Sequence, residues 1–162
     1  MAKKTVKKSA ALKILVANGV NLDLLGKREK SIYGHFNLKD LEKYLKDEGS
    51  SIAQEAGVSL DFDFFQTNDE TALLEKLSGG KWDGVILNPG AWTHTSVALR
   101  DRLAGLEVTF VEVHISNLAA REEFRKTSFS AAHAKGVVYG FGMESYLVGL
   151  FGLVKVLAKE RS

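Results

Sequence analysis

An α/β fold built on a doubly wound parallel sheet is the architecture this sequence predicts, and three observations carry that reading. Short runs of continuous apolarity recur along the chain, segments with helical spacing separate them, and most runs end in a polar residue. Four runs, "KILVAN" (13–18), "DGVILN" (83–88), "VTFVEVH" (108–114) and "GVVYGFG" (136–142), read as fully buried strands. Continuous rather than alternating apolarity suits parallel strands covered on both faces. A fifth run, "VSLDFDFFQ" (58–66), alternates more and is expected at an edge. Five such strands, joined by right-handed crossovers through helices, give the flavodoxin-like order 2-1-3-4-5.

The intervening segments justify the helices. Leu38, Leu41, Tyr44 and Leu45 put an apolar stripe on 38–56, and Leu73, Leu74 and Leu77 do so after Asp69. Val97, Ala98, Leu99 and Leu103 predict a short helix. Tyr146, Leu147, Leu150, Phe151 and Val154 predict a long closing one over 143–159. A length of 162 residues fits one compact domain. That domain is expected over 11–162, behind a basic, solvated tail at 1–10, "MAKKTVKKSA".

Composition narrows the function classes. Hydrophobic residues at 45% and charged residues at 26% are ordinary for a soluble globular chain. A net charge of +2 is too small to make nucleic acid or an anionic membrane the main partner. No apolar run reaches the roughly 18 residues of a membrane span, and the tail lacks the apolar stretch of a secretory signal. With no cysteine there are no disulfides, thiol nucleophiles or thiolate metal sites, which fits a cytoplasmic location.

The predicted strands end in Asn18, Gln66, Asn88, His114 and the Gly140–Gly142 pair. In open α/β sheets ligands bind beyond these carboxyl ends. One polar strand end often only caps the next helix, but four of five projecting into one crevice predict a polar site. Spacing excludes the familiar chemistries. Gly19 and Gly26-Lys27 do not make a Walker loop, "GFGMES" has two of three dinucleotide-binding glycines at the wrong end of the chain, and no G-x-S-x-G occurs. The histidines at 35, 94, 114 and 133 lack metal-ligand spacing, so no metal is expected.

Groups suited to proton transfer remain. The connection 19–37 is long for a βα loop, as lids are, and carries Arg28 and Tyr33. A tyrosine acts as a base near neutral pH only if its phenolate is stabilised, and a guanidinium at about 4 Å supplies on the order of 4 kcal/mol. The alternative is a ring packed under the loop beside a solvated arginine. Glu112 lies two residues before His114 on one strand, so both point to one face, where the carboxylate orients the imidazole. A strand-end histidine with a purely structural role is the competing reading. The amides of Ile115 and Ser116, with the Ser116 hydroxyl, form a candidate anion nest. Arg121 and Arg125, at i and i+4, either face an anion or pair with Glu122 and Glu123.

The motifs "NGVNLDLLGKRE…YG", "QTNDE", "NPGAWTHTSVALRD", "EVHISN" and "AREEFR" resemble, in order, those of type II 3-dehydroquinate dehydratases of the shikimate and quinate pathways. The resemblance implies a flavodoxin-like lyase without cofactor, metal or Schiff base, acting on 3-dehydroquinate. It implies that Tyr33, beside Arg28, abstracts a proton, that Asn21 helps to stabilise the enolate through a water, and that His114, held by Glu112, protonates the leaving hydroxyl. Ile115 and Ser116 would bind the substrate carboxylate, and Asn88, His94 and Arg125 its hydroxyls. An acid matching Asp101 would reach a neighbouring subunit's site, in trimers assembled into a dodecamer. Val20 and Lys30 stand where the family has prolines, and "TSFSA" and "FGMESY" depart from its pattern. The competing hypotheses are a non-catalytic flavodoxin-like small-molecule binding module and, on fold analogy alone, an FMN protein.

Overall fold

The structure, a computed structural model, describes residues 10–27 and 29–161. Apart from Ala10, the tail expected at 1–10 lies outside the described residues, and so does Arg28. Strands β1 (Leu12–Asn18), β2 (Leu60–Gln66), β3 (Gly84–Asn88), β4 (Thr109–His114) and β5 (Gly136–Tyr139) form one sheet. Its order is β2-β1-β3-β4-β5, with every neighbouring pair parallel, as the sequence predicts. Register levels the strand ends: Asn18 stands beside both Gln66 and Asn88.

Helices connect the strands. The one-turn α1 (Lys30–Tyr33) precedes α2 (Leu38–Ala56), and α3 (Glu70–Gly79) follows β2. The one-turn α4 (Trp92–Thr95) leads into α5 (Val97–Gly105), and α6 (Glu144–Glu160) closes the fold. Local chemistry sets where they begin. Asn37 accepts from the amides of Lys39 and Asp40 while the Asp40 carboxylate accepts from the Asn37 amide, a reciprocal capping box that starts α2. Asp69 and Ser96 cap α3 and α5 through the amides of Thr71 and Leu99.

Two apolar layers explain why the strands read as continuously apolar. Ile14, Val16, Ile86, Val111 and Val113 face α2 and α6, whereas Leu15, Ala17, Val85, Leu87 and Phe110 face α3 and α5. Helix α6 lies close to the sheet because Gly149 has no side chain. A Cβ there would stand 2.8 Å from Val113 Cγ1 and 3.3 Å from Val111 Cγ1. Gly149→Val is therefore expected to overpack the core by about 1–3 kcal/mol and to lower the melting temperature by roughly 5 °C, measurable by calorimetry.

Two expectations need correction. The run 136–142 is not a fully buried strand: β5 stops at Tyr139 and alternates, leaving Val137 and Tyr139 each 41% exposed. It is an edge strand paired only with β4 in the sheet, and apolar composition alone does not separate that from a central strand. Val97, placed in the apolar stripe of its helix, points outward instead, and Leu99 and Leu103 make the buried contacts of α5.

Candidate active site

Beyond the carboxyl ends of β1, β3 and β4 lies a cleft of about 550 Å³, open solvent included. Of the residues singled out in the sequence, Asn21, Tyr33, Asn88, His94, His114, Ile115, Ser116 and Arg125 all line it. Glu112 sits behind His114 with no exposure. Asp101 does not take part in its own chain's cleft: it lies exposed on α5, paired with Arg100 at 2.6 Å. Arg28 falls outside the described residues.

Strand β4 delivers the glutamate–histidine pair. Glu112 and His114 share a face, and His114 Nε2 lies 2.7 Å from Glu112 Oε1. The carboxylate also accepts from Thr93 Oγ1 at 2.7 Å, Ser130 Oγ at 2.6 Å and Ser128 Oγ at 3.3 Å. Burial opposes a charge on Glu112, but the hydrogen bonds from His114, Ser130 and Thr93 outweigh it and hold the carboxyl below its usual range. An ionised Glu112 can only accept, so Nε2 of His114 carries a proton and Nδ1 is left to serve the cleft. The Ser and Thr ring around Glu112 has no counterpart in the sequence reading.

The long connection after β1 is pinned at its root. Buried Leu22 and Leu25 anchor it to the core. Asn21 adopts left-handed backbone, φ 66°, and its amide donates to Asn68 Oδ1 at 2.8 Å. Gly90, at φ +60°, lets the β3 loop pass close by, since a Cβ there would meet the Val20 carbonyl at 2.7 Å. Farther along, α1 brings Tyr33 into the cleft.

Arg121 Nη1 donates to the Tyr33 hydroxyl at 2.8 Å and lies 3.4 Å from Ser116 Oγ. The pairing of Tyr33 with Arg28 expected from the sequence lies outside the described residues. Arg121 and Arg125 are not a helical i, i+4 pair, because the chain runs through two separate 3-10 turns, Leu118–Ala120 and Glu123–Lys126. Arg121 turns to Tyr33 while its Nε lies 3.3 Å from Glu122 Oε2, and Arg125 bonds the same carboxylate at 2.8 Å and still lines the cleft. His94 stacks on His114 with ring centroids 6.5 Å apart, and its Nδ1 lies 2.7 Å from the Thr127 carbonyl. Burial, with His114 and Arg125 nearby, lowers the His94 pKa despite the Thr127 bond, so the ring is neutral. Its Nδ1–H therefore donates to Thr127 and Nε2 is an acceptor.

Among the described residues no group of three or more His, Asp or Glu is arranged to hold a metal ion, and no helix is long and apolar enough to cross a membrane.

Fold and cleft define a doubly wound α/β protein whose strand ends carry groups for moving protons. Comparison with known proteins makes this specific. The model of the family Dehydroquinase class II matches residues 12–154, and the chain belongs to that family. It is 48% identical over 149 residues to a 3-dehydroquinate dehydratase of Synechococcus sp. (strain CC9605), covering 91% of this chain and 98% of the relative. The type II dehydroquinase of Butyrivibrio crossotus superposes with a TM-score of 0.81 at 37% identity, over 88% of this chain and 97% of that one. The enzyme from Propionibacterium acnes gives 0.80 at 38% identity, over 90% and 99%.

Proposed function

We propose that this chain is a hydro-lyase that converts 3-dehydroquinate to 3-dehydroshikimate by anti elimination through an enolate. The observation that carries the reading is one cleft lined by both an arginine-bound tyrosine and a histidine on a buried glutamate. Tyr33, as phenolate, takes the proton next to the ketone, and Arg121 supplies the counter-charge in a charge-assisted bond. Arg28, by resemblance, adds a second. The electron pair left behind delocalises onto the ketone oxygen, which a water near Asn21 stabilises. When it returns, the bond to the C1 hydroxyl breaks and His114, entering the step protonated on both nitrogens with Nε2–H held by Glu112, donates its Nδ1 proton, so water leaves and the ring is left neutral.

Position follows from the remaining groups. The substrate carboxylate sits on the amides of Ile115 and Ser116 and the Ser116 hydroxyl, while Asn88, His94 and Arg125 hold the ring hydroxyls. By resemblance, Asp101, exposed and outside its own cleft, serves a neighbouring subunit in a trimer of a cytoplasmic dodecamer.

Purified protein given 3-dehydroquinate should form the ultraviolet-absorbing conjugated product. Tight calorimetric binding without that product would return the chain to a binding module. Arg121→Met should lower kcat/KM by roughly 10–100-fold, the worth of a charge-assisted hydrogen bond. Arg121→Lys should recover part of it, and unchanged kinetics would remove Arg121 from the base.

A further inference from the structure

Tyr146, on α6, is wholly buried at 0% exposure and takes no part in the chemistry above. Its hydroxyl nevertheless joins the two asparagines that end β1 and β3. It donates to Asn18 Oδ1 at 2.6 Å and accepts from Asn88 Nδ2 at 2.7 Å. The far end fixes the direction: Asn88 Oδ1 accepts from the Gly90 amide at 3.1 Å, which a flipped amide could not do. A phenol has one proton, so giving it to Asn18 obliges Tyr146 to accept from Asn88. Burial raises the phenol's pKa well above its usual value, against the bond from Asn88, so that proton stays in place.

The consequence appears in the cleft. Asn88 keeps at most one N–H and one carbonyl lone pair for a ligand. His94, its Nδ1 committed to Thr127, adds an acceptor at Nε2. A donor beside two acceptors matches hydroxyl groups, each able to donate and accept, and does not match carbonyl or carboxylate oxygens, which only accept. We propose that Tyr146, anchored by Asn18, is a positioning residue that locks the Asn88 amide and so makes the cleft select ligands carrying ring hydroxyls. This inference rests on the dehydratase reading's assignment of Asn88 and His94 to ring hydroxyls and adds Tyr146 as the residue that orients the Asn88 amide.

The test is calorimetric binding of quinate, a hydroxylated cyclohexane carboxylate, and of cyclohexanecarboxylate, which lacks the hydroxyls. Wild type, Tyr146→Phe, Asn88→Ala and the double variant are compared. Wild type should prefer quinate. Tyr146→Phe should weaken quinate about 10-fold, the scale of one hydrogen bond, and leave cyclohexanecarboxylate unchanged. The double variant should be no worse than Asn88→Ala, because both act through one amide. Equal losses for both probes, or additive losses, overturn the proposal. Should Tyr146→Phe fail to fold, Asn18→Leu tests the other end. It frees the Tyr146 proton to bond Asn88 oxygen, so the same selective loss is expected, and intact selectivity overturns the proposal. Turnover of 3-dehydroquinate is read separately. A wild type that discriminates between the probes without turnover defeats the dehydratase reading alone, and one without preference for quinate defeats this inference.

Discussion

Tyr33→Phe is expected to lower kcat by roughly 10³-fold, within the range for loss of a general base. The substitution keeps the ring, which packs against the core under the lid, and removes only the oxygen bonded by Arg121. Folding should therefore lose only hydrogen bonding at that oxygen, about 0.5–1.5 kcal/mol for the bond from Arg121. KM should change little, because the lost interaction matters in the transition state rather than in substrate binding. Steady-state rates followed by product absorbance, with thermal unfolding as the control, decide the matter. A variant keeping a tenth of wild-type kcat would place the base elsewhere.

Glu112→Gln should damage both activity and stability. A carboxylate accepts every bond offered by His114, Thr93, Ser130 and Ser128, whereas an amide nitrogen meets one or more of those donors with a donor of its own. Leaving buried groups unpaired costs about 1–3 kcal/mol. Losing the carboxylate that orients His114 and stabilises its protonated ring should reduce kcat by on the order of 10⁴-fold, as for a histidine whose orienting carboxylate becomes an amide. The pH dependence has a definite sign. Burial works against the charge, but His114, Ser130 and Thr93 hold the folded Glu112 carboxyl below its ordinary 4.5. Its contribution is therefore complete above pH 4.5 and fades as pH falls through the lower folded value. The stability gap between wild type and variant should be widest at neutral pH and close in acid. Denaturant unfolding at several pH values measures it, and a constant gap would mean that Glu112 is not ionised in the folded state.

What the sequence made legible is what is local. Glu112 and His114 are two residues apart on a strand, so their shared face follows from strand periodicity alone. Polar ends on strands of known order converge on one crevice by topology. The Arg121 bond to Tyr33 was not legible because the two are 88 residues apart in the chain, and no local signal separates Arg121 from Arg125. Nothing local marks Thr93, Ser128 and Ser130, and only packing converts them into donors to a buried charge. Tyr146 counted as one apolar position in a helical stripe, yet its hydroxyl makes it a polar link across 128 residues. The expected strand order already put β5 at an edge, but its apolar composition did not show that Val137 and Tyr139 would stay exposed there.

The close seating of α6 has a consequence of another kind. Gly149 and Tyr146 lie three residues apart, hence on one face of the helix. The gap between helix and sheet that Gly149 sets is also the distance over which the phenol must reach Asn18 and Asn88. A bulkier residue at 149 would lift the helix and stretch those bonds together. The back of the molecule thus acts as a spacer for the front, and a substitution there would register as altered ligand choice before it registered as a wrong fold.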